Sequence, residues 1–141
     1  MDDPLYRKSI LRLAADAAGA GHLAAPDAAA TRHNPACGDR VTVEMTLAGG
    51  RIASLAHHTH ACVLAQASAA ILGQAVAGHT ADELAALARA LRSFLAGGQP
   101  PPAPFDAYRA FEGFAAHAGR HRCVMLPVET VLEALKTAES V

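Results

Sequence analysis

The sequence has little of several features that mark common classes of protein. It has no tryptophan, two tyrosines and four phenylalanines, which argues against an aromatic platform for single-stranded nucleic acid. Its 12 basic and 13 acidic residues leave almost no net charge, so the composition does not favour DNA, RNA or an acidic membrane. No apolar run approaches the roughly 18 residues that cross a bilayer. We therefore expect no nucleic-acid partner and no membrane partner.

Cysteine is also scarce, and its count is odd. The three cysteines lie far apart, at positions 37, 62 and 123. A disulfide framework usually has an even number of cysteines and forms in an oxidising compartment. Residues 1–8 lack the apolar stretch of a signal peptide. We therefore expect a cytoplasmic protein whose cysteines are free thiols, either packed in the core or acting as ligands.

Helical patterns cover much of the chain, whose 141 residues predict one domain over residues 1–141. The hydrophobic content is rich in alanine, which predicts a thin core between closely packed helices. Thr80 and Glu83 have the spacing of a capping box, and Pro4 and Pro127 suit the first turns of helices. The predicted helices are Leu5–Ala18, Ala61–Gly78, Thr80–Leu95, Phe105–His117 and Pro127–Thr137.

A β-hairpin lies between the first two predicted helices. Residues 40–47 alternate polar and apolar side chains, which is the period of a half-buried strand. Gly49 and Gly50 suit a tight turn, and Arg51–Thr59 returns as the partner strand. Ala28–Arg32 is a candidate third strand. The fold class predicted is α+β, a small antiparallel sheet of about three strands covered by about five helices.

The three cysteines fall at the ends of predicted elements. Cys37 precedes the hairpin, Cys62 lies between a strand and a helix, and Cys123 lies just ahead of the last predicted helix. A helix N-terminus favours thiolate, the form of cysteine that binds soft metals. Asp39 offers a harder oxygen ligand beside Cys37. The alternative is inert core cysteine, because there is no Cys-x-x-Cys pair and the spacing matches no zinc finger.

Three short motifs resemble those of one family. Residues 34–39, Asn-Pro-Ala-Cys-Gly-Asp, resemble the Asn-Pro-x-Cys-Gly-Asp signature of the U-type iron–sulfur scaffolds (IscU, SufU and the N-terminal domain of NifU). Residues 61–69, Ala-Cys-Val-Leu-Ala-Gln-Ala-Ser-Ala, resemble their Gly-Cys-x-Ile-Ser-x-Ala-Ser-x motif. Residues 120–126, Arg-His-Arg-Cys-Val-Met-Leu, resemble the third motif, which reads Arg-x-x-Cys-x-x-Leu in the SufU branch. The motifs occur in the family's order across nearly the whole chain.

This resemblance implies a SufE/IscU-like fold and a specific site. It implies a Zn²⁺ ion held by four ligands, and a SufS-like cysteine desulfurase that hands persulfide sulfur to one of the three cysteines. Arg120 matches an arginine of the SufU branch, and a longer Gly/Pro-rich connection at residues 97–104 is also typical of that branch. Later partners would be iron–sulfur acceptors or downstream Suf proteins. The implied ligands are Cys37, Asp39, Cys62 and Cys123.

The resemblance leaves three functions open. The protein is a scaffold on which iron or a [2Fe–2S] cluster is assembled, a zinc-dependent sulfur acceptor with sulfurtransferase activity, or a structural-zinc module that only binds partners. The sequence does not decide between zinc and a cluster, nor which cysteine carries persulfide. Arg120 is either a solvated charge or a partner for Asp39 or a thiolate when sulfur arrives.

A run of histidines departs from the family pattern. In an extended strand His58 and His60 share one face and His57 lies on the other. Two imidazoles on one face can bind a metal, and His60 is the better candidate because it is near Cys62. The alternative is chance clustering, which eight histidines in 141 residues make easy. Ala61, which replaces the usual glycine before the second cysteine, is another departure.

Overall fold

The computed structural model describes residues 7–34 and 38–139. Its three strands form one antiparallel sheet in the order β1-β2-β3, with four α-helices and two short 3-10 segments around it. This confirms the predicted α+β class, including the third strand. The elements in chain order are α1 (Lys8–Asp16), β1 (Ala28–Asn34), β2 (Asp39–Ala48), β3 (Arg51–His60), α2 (Val63–Ala75), α3 (Ala81–Leu95), the 3-10 segments Asp106–Phe111 and Phe114–Ala116, and α4 (Ala118–Glu139).

The hairpin forms as its alternating pattern predicts. Val41, Val43 and Met45 of β2 are almost fully buried, while the residues between them face the other side of the sheet. Gly49 and Gly50 both have positive φ, at 60° and 77°, the backbone that a two-residue I′ turn requires. One face of the sheet therefore contributes to the core and the other remains largely polar.

The helices cover the apolar face of this sheet. Helix α4 packs across β1 and β2, and α2 contacts β3, α1 and α4. Both α2 and α4 contribute fully buried side chains to the core between the helices and the sheet. Among the described residues, no helix combines the length and apolar character needed to cross a membrane.

The prediction that the last helix starts at Pro127 is wrong. Helix α4 begins at Ala118 and contains Pro127 in its interior. An interior proline costs about 3 kcal/mol, because it lacks the N–H donor and its ring clashes with the preceding turn. Here that cost is offset by burial against the sheet, since Val124, Val128 and Val131 are fully buried. The predicted place of Cys123 ahead of this helix is consequently also wrong.

The bounds of α1 and α2 are narrower than predicted. Arg7 has extended backbone and precedes the first residue of α1, while the predicted start at Leu5 lies outside the described residues. Ala17, in the left-handed region at φ 50°, ends α1 before the predicted Ala18. Helix α2 runs from Val63 to Ala75, inside the predicted range. The backbone conformation at each helix end decides these bounds, and the spacing of apolar residues does not encode that conformation.

The predicted helix Phe105–His117 is replaced by two 3-10 segments. Gly113 separates them with φ at 88°, which an α-helix does not accommodate. Tyr108, Phe111 and Phe114 are buried at intervals of three residues. A three-residue interval matches the 3-10 repeat for Tyr108 and Phe111, and Phe114 of the second segment packs edge-on against Phe111. In contrast, the capping box of Thr80 and Glu83 at the start of α3 is confirmed.

Candidate metal centre

Asp39 is the first residue of the central strand β2, directly after Gly38, and so lies at one end of the sheet. The Gly38 amide donates a hydrogen bond to the Asn34 carbonyl at 2.9 Å, and Gly38 has φ at 72°, which glycine adopts without strain. Asp39 pairs with Asn34 across the two strands and is only 5% exposed. Cys37 lies outside the described residues, so its part in the site stays a prediction.

The Asp39 carboxylate is held by one oxygen only. Its Oδ1 accepts a hydrogen bond from the Cys62 amide at 3.2 Å. Its Oδ2 is buried and has no hydrogen-bond partner among the described residues. Leaving a buried carboxylate oxygen unpaired is unfavourable by a few kcal/mol, on the order of its desolvation penalty. The oxygen is therefore suited to a ligand that supplies positive charge.

Cys62 occupies the N-cap of α2, the position where a helix presents free amide groups. Its backbone is extended, at φ −65° and ψ 167°, as N-cap residues require. A hydrogen bond with Cys123, assisted by the free amides of Ala65 and Leu64, lowers the pKa of the Cys62 thiol to about 7 despite partial burial and the nearby Asp39 charge. Cys62 is half-buried. The predicted helix-end environment is thus confirmed for this cysteine.

Cys123 is brought close to Asp39 and Cys62 by helix α4. It lies in the second turn of α4 and is only 4% exposed. Because α4 packs across β1 and β2, this turn lies near the end of β2 at which Asp39 is found. Residues separated by 23 and 61 positions, from 39 to 62 and from 62 to 123, are therefore neighbours in the fold.

Asp39, Cys62 and Cys123 form a compact set of possible metal ligands. One carboxylate oxygen and the two sulfurs all lie within 4.8 Å of one another. Sulfurs on a tetrahedral zinc ion with bonds near 2.3 Å would be about 3.8 Å apart, so small side-chain shifts suffice. Two soft thiolates and one oxygen also match the donors that zinc and iron accept. The donor set and the unpaired Oδ2 both fit a metal ion.

Arg120 is not part of the ligand group formed by Asp39, Cys62 and Cys123. It is exposed in the first turn of α4, three residues before Cys123 and hence on the same side of the helix. It forms no ion pair within the described part of the chain. Its predicted role in sulfur transfer is untested by this arrangement.

A buried polar network beside Cys123 was missed by the sequence analysis. The Ser68 hydroxyl donates to the Val124 carbonyl at 2.7 Å, and the Tyr108 hydroxyl lies 2.9 Å from the same Ser68 oxygen. Both side chains are fully buried. The network joins α2 to α4 next to the Cys123 backbone. The available signal was a lone serine within an apolar stretch of α2, opposite a tyrosine that needs a partner when buried.

The histidine run has the predicted alternation but separate roles. His57 is buried, and its Nε2 donates to the Ala18 carbonyl at 2.9 Å, which assigns Nδ1 as the acceptor from the Thr59 hydroxyl. His58 and His60 are exposed on the other face of the sheet. His57 is therefore a structural link between β3 and the end of α1.

We expect His57 to make folding stability depend on pH. Burial lowers the pKa of His57 below its usual value of 6.5, so the unfolded chain takes up the proton more readily. Its contribution is fully present above pH 6.5 and is lost as the pH falls below that value. Between pH 7 and 5.5, the free energy of unfolding measured in urea should decrease as the pH falls. In His57→Gln this pH dependence should be weaker by up to about 1.4 kcal/mol per pH unit. The exposed His117→Gln is the control, and an equal change there would contradict the assignment.

Comparison with known proteins connects this site with one family. Residues 5–107 match the family model described as the NifU-like N-terminal domain. The chain is 35% identical to the crystal structure of the N-terminal part of a nitrogen-fixing NifU-like protein from Brucella abortus, with a TM-score of 0.92 over 98% of this chain and 96% of that chain. No curated protein sequence matches the chain significantly.

A second solved structure shares the fold. It is described as an iron–sulfur cluster assembly scaffold protein for the SUF system from the thermophile Fervidobacterium islandicum. The identity is 21% and the TM-score 0.79, over 93% of this chain and 96% of that chain. At this identity the likeness shows a common fold alone.

Proposed function

The chain belongs to the NifU-like N-terminal domain family of iron–sulfur cluster assembly scaffolds, and on that premise we propose that it accepts sulfur from a cysteine desulfurase at a metal site. The observation that carries this proposal is the cluster of Asp39, Cys62 and Cys123, with ligand atoms within 4.8 Å and a buried carboxylate oxygen that has no hydrogen-bond partner among the described residues. The SufU-like specificity, the SufS-like partner and a cytoplasmic location stay predictions from the sequence.

The resident metal in this proposal is zinc. Asp39, Cys62 and Cys123 would hold it, and Cys37, two positions before Asp39, would complete a set of four. When bound, zinc keeps its thiolate ligands deprotonated at neutral pH. The protein supplies a buried site in which the Cys62 amide orients the Asp39 carboxylate.

The sulfur transfer is an exchange between a persulfide and a thiolate. A cysteine thiolate of the chain attacks the terminal sulfur of the desulfurase persulfide, so that one S–S bond forms and one breaks. The desulfurase thiolate leaves, and the proton of the persulfide stays on the transferred sulfur. No external oxidant or reductant is consumed. In this proposal the Arg120 guanidinium pairs with Asp39 or with a cysteine thiolate when sulfur arrives.

Persulfide mapping tests the proposal directly. The zinc-loaded protein is incubated with a SufS-type desulfurase and cysteine, and the three cysteines are then examined by mass spectrometry. We expect a persulfide on one of them, and none in a variant that lacks that residue. Arg120→Gln should slow the transfer without lowering the zinc content, whereas Arg122→Gln, the same change of charge two residues on, should not. Absence of persulfide on all three cysteines would contradict sulfur acceptance.

A second candidate is assembly of a [2Fe–2S] cluster as cargo on the same ligands. It is favoured by the family and by the sulfur-rich donor set, since such clusters are held by cysteine thiolates. The cluster would then pass to an iron–sulfur acceptor protein. Ultraviolet–visible absorbance and metal content after anaerobic purification separate this candidate from the zinc site. A structural-zinc module would show zinc but neither persulfide nor cluster absorbance.

A further inference from the structure

The face of the sheet that is turned away from the helices carries a group of histidines. Strand pairing places Thr42 of β2 opposite His58 of β3, and Glu44 opposite Ala56. Side chains two residues apart on a strand share a face, so Glu44 and His58 lie diagonally across two neighbouring strands on this side of the sheet. The segment between α1 and β1 crosses the same face and brings His22 onto it.

On this face His22 contacts both His58 and Glu44. The rings of His22 and His58 are stacked with centroids 5.7 Å apart and an interplanar angle of 19°. Nδ1 of His22 lies 3.5 Å from Oε1 of Glu44. Two ligands of one tetrahedral zinc ion, with bonds near 2.1 Å, would lie about 3.4 Å apart. The His22–Glu44 pair thus already has the spacing of two ligands of one ion.

The position of His22 over the sheet is fixed by the backbone. The amide of Leu23 donates to Oε1 of Glu44 at 2.8 Å, so the same carboxylate that faces His22 also anchors the neighbouring residue. A hydrogen bond from outside the site orients a carboxylate ligand in many metal centres. The carboxylate is mostly buried, at 20% exposed, whereas the His22 side chain is 68% exposed and is free to change rotamer on a short timescale.

We propose that His22, Glu44 and His58 form a second metal site, which binds one divalent first-row transition ion. Two imidazoles and a carboxylate are donors for zinc, cobalt, nickel and iron(II), and a poor set for calcium or magnesium. The three ligand atoms are more widely spaced than those of the Asp39–Cys62–Cys123 cluster, so binding requires a rotation of the exposed His58 ring. The site uses no residue of that cluster.

Neighbouring charges favour His58 over His60 as the ligand. His60 pairs with Arg40 across β2 and β3, and the two exposed side chains are next to each other on this face. A guanidinium beside a bound cation is unfavourable. Glu44 lies on the other side of Thr42 from Arg40, so the negative charge is at the His58 end of the face. The metal is therefore expected to bind at His58, and His60 serves as a natural comparison.

Zinc titration of the zinc-loaded protein tests this proposal. After the cysteine site is filled, calorimetry should detect a second equivalent of Zn²⁺ with weaker affinity. Removal of even an outer partner of a metal typically costs about 10–100-fold in affinity, so His22→Ala and His58→Ala should each weaken the second event at least tenfold. Glu44→Gln should weaken it as well, while its amide oxygen still accepts from the Leu23 amide.

Two controls keep the result specific. His60→Ala and His117→Ala remove exposed histidines outside the proposed site and should leave the second event unchanged. Cys62→Ser, which alters the first site, should retain it, so that failure of the cysteine site is distinguished from failure of this one. Absence of a second event in the wild type, or equal weakening by all four histidine variants, would overturn the proposal.

Discussion

Removal of the metal by a chelator is expected to abolish sulfur acceptance while leaving the fold intact. The proposed ligands Asp39, Cys62 and Cys123 lie at the end of the sheet and on two helices, and the core that these elements share is already formed by buried side chains. A zinc finger unfolds without its metal because it lacks such a core. The proposed metal would neutralise charge at one end of the sheet only, so its loss should affect the site and leave the rest of the fold unchanged.

Circular dichroism and alkylation measure the two parts of this expectation. After chelation the far-ultraviolet spectrum should be unchanged within a few per cent, as expected for a domain with its own core. Cys62 should become accessible to iodoacetamide, and desulfurase stimulation should fall by more than about tenfold. Cooperative loss of the helical signal would show that the zinc is structural. Full stimulation without metal would favour cluster scaffolding over zinc–thiol exchange.

Asp39→Ala is expected to have a second large effect. It should change how tightly the site holds zinc and how fast it releases sulfur or a cluster. The substitution removes the one oxygen ligand among sulfurs, the ligand that metals such as zinc hold least tightly in this set. We expect zinc affinity to fall by about 10–100-fold. The open position that remains is available to water or to cargo. Transferred sulfur or an assembled cluster should consequently leave more slowly than from the wild type.

Asp39→Asn is the matched variant. It keeps an oxygen that accepts from the Cys62 amide, a bond of 3.2 Å in the structure, and loses the charge. If the carboxylate acts as a ligand, both variants should bind zinc more weakly. Only Asp39→Ala should also lower the free energy of unfolding, by the roughly 1 kcal/mol that a contact at a helix N-terminus contributes. Loss of metal accompanied by unfolding in both variants would instead identify Asp39 as structural.

The strands of this fold could be predicted from sequence, but the course of its last helix could not. The alternation in residues 40–47 records one buried face, so β2 and β3 were located almost to the residue. Pro127 indicated a helix start because local preference places proline in first turns. The deciding factor was the burial of α4 on β1 and β2, a long-range contact that no local pattern encodes.

The candidate site shows the same division. The motifs around Cys62 and Cys123 indicated that these residues act together, and they do meet in the fold. Spacing alone left inert core cysteine open, because only the crossing of α4 over the sheet brings position 123 to position 39. The Oδ2 of Asp39, unpaired among the described residues, has no sequence signature. For the Ser68–Tyr108 contact the sequence offers only a lone serine in an apolar stretch, because the contact depends on what surrounds that side chain in three dimensions.

The place of Cys123 within α4 makes the two described sulfurs unequal partners. The electrostatic benefit of a helix end fades beyond its first turn, and Cys123 is already in the second turn of its helix. Cys62, at the N-cap of α2 and half-buried, has both the helix end and access to solvent. If the proposed sulfur transfer takes place, we therefore expect the half-buried Cys62 to receive incoming sulfur more readily than the buried Cys123.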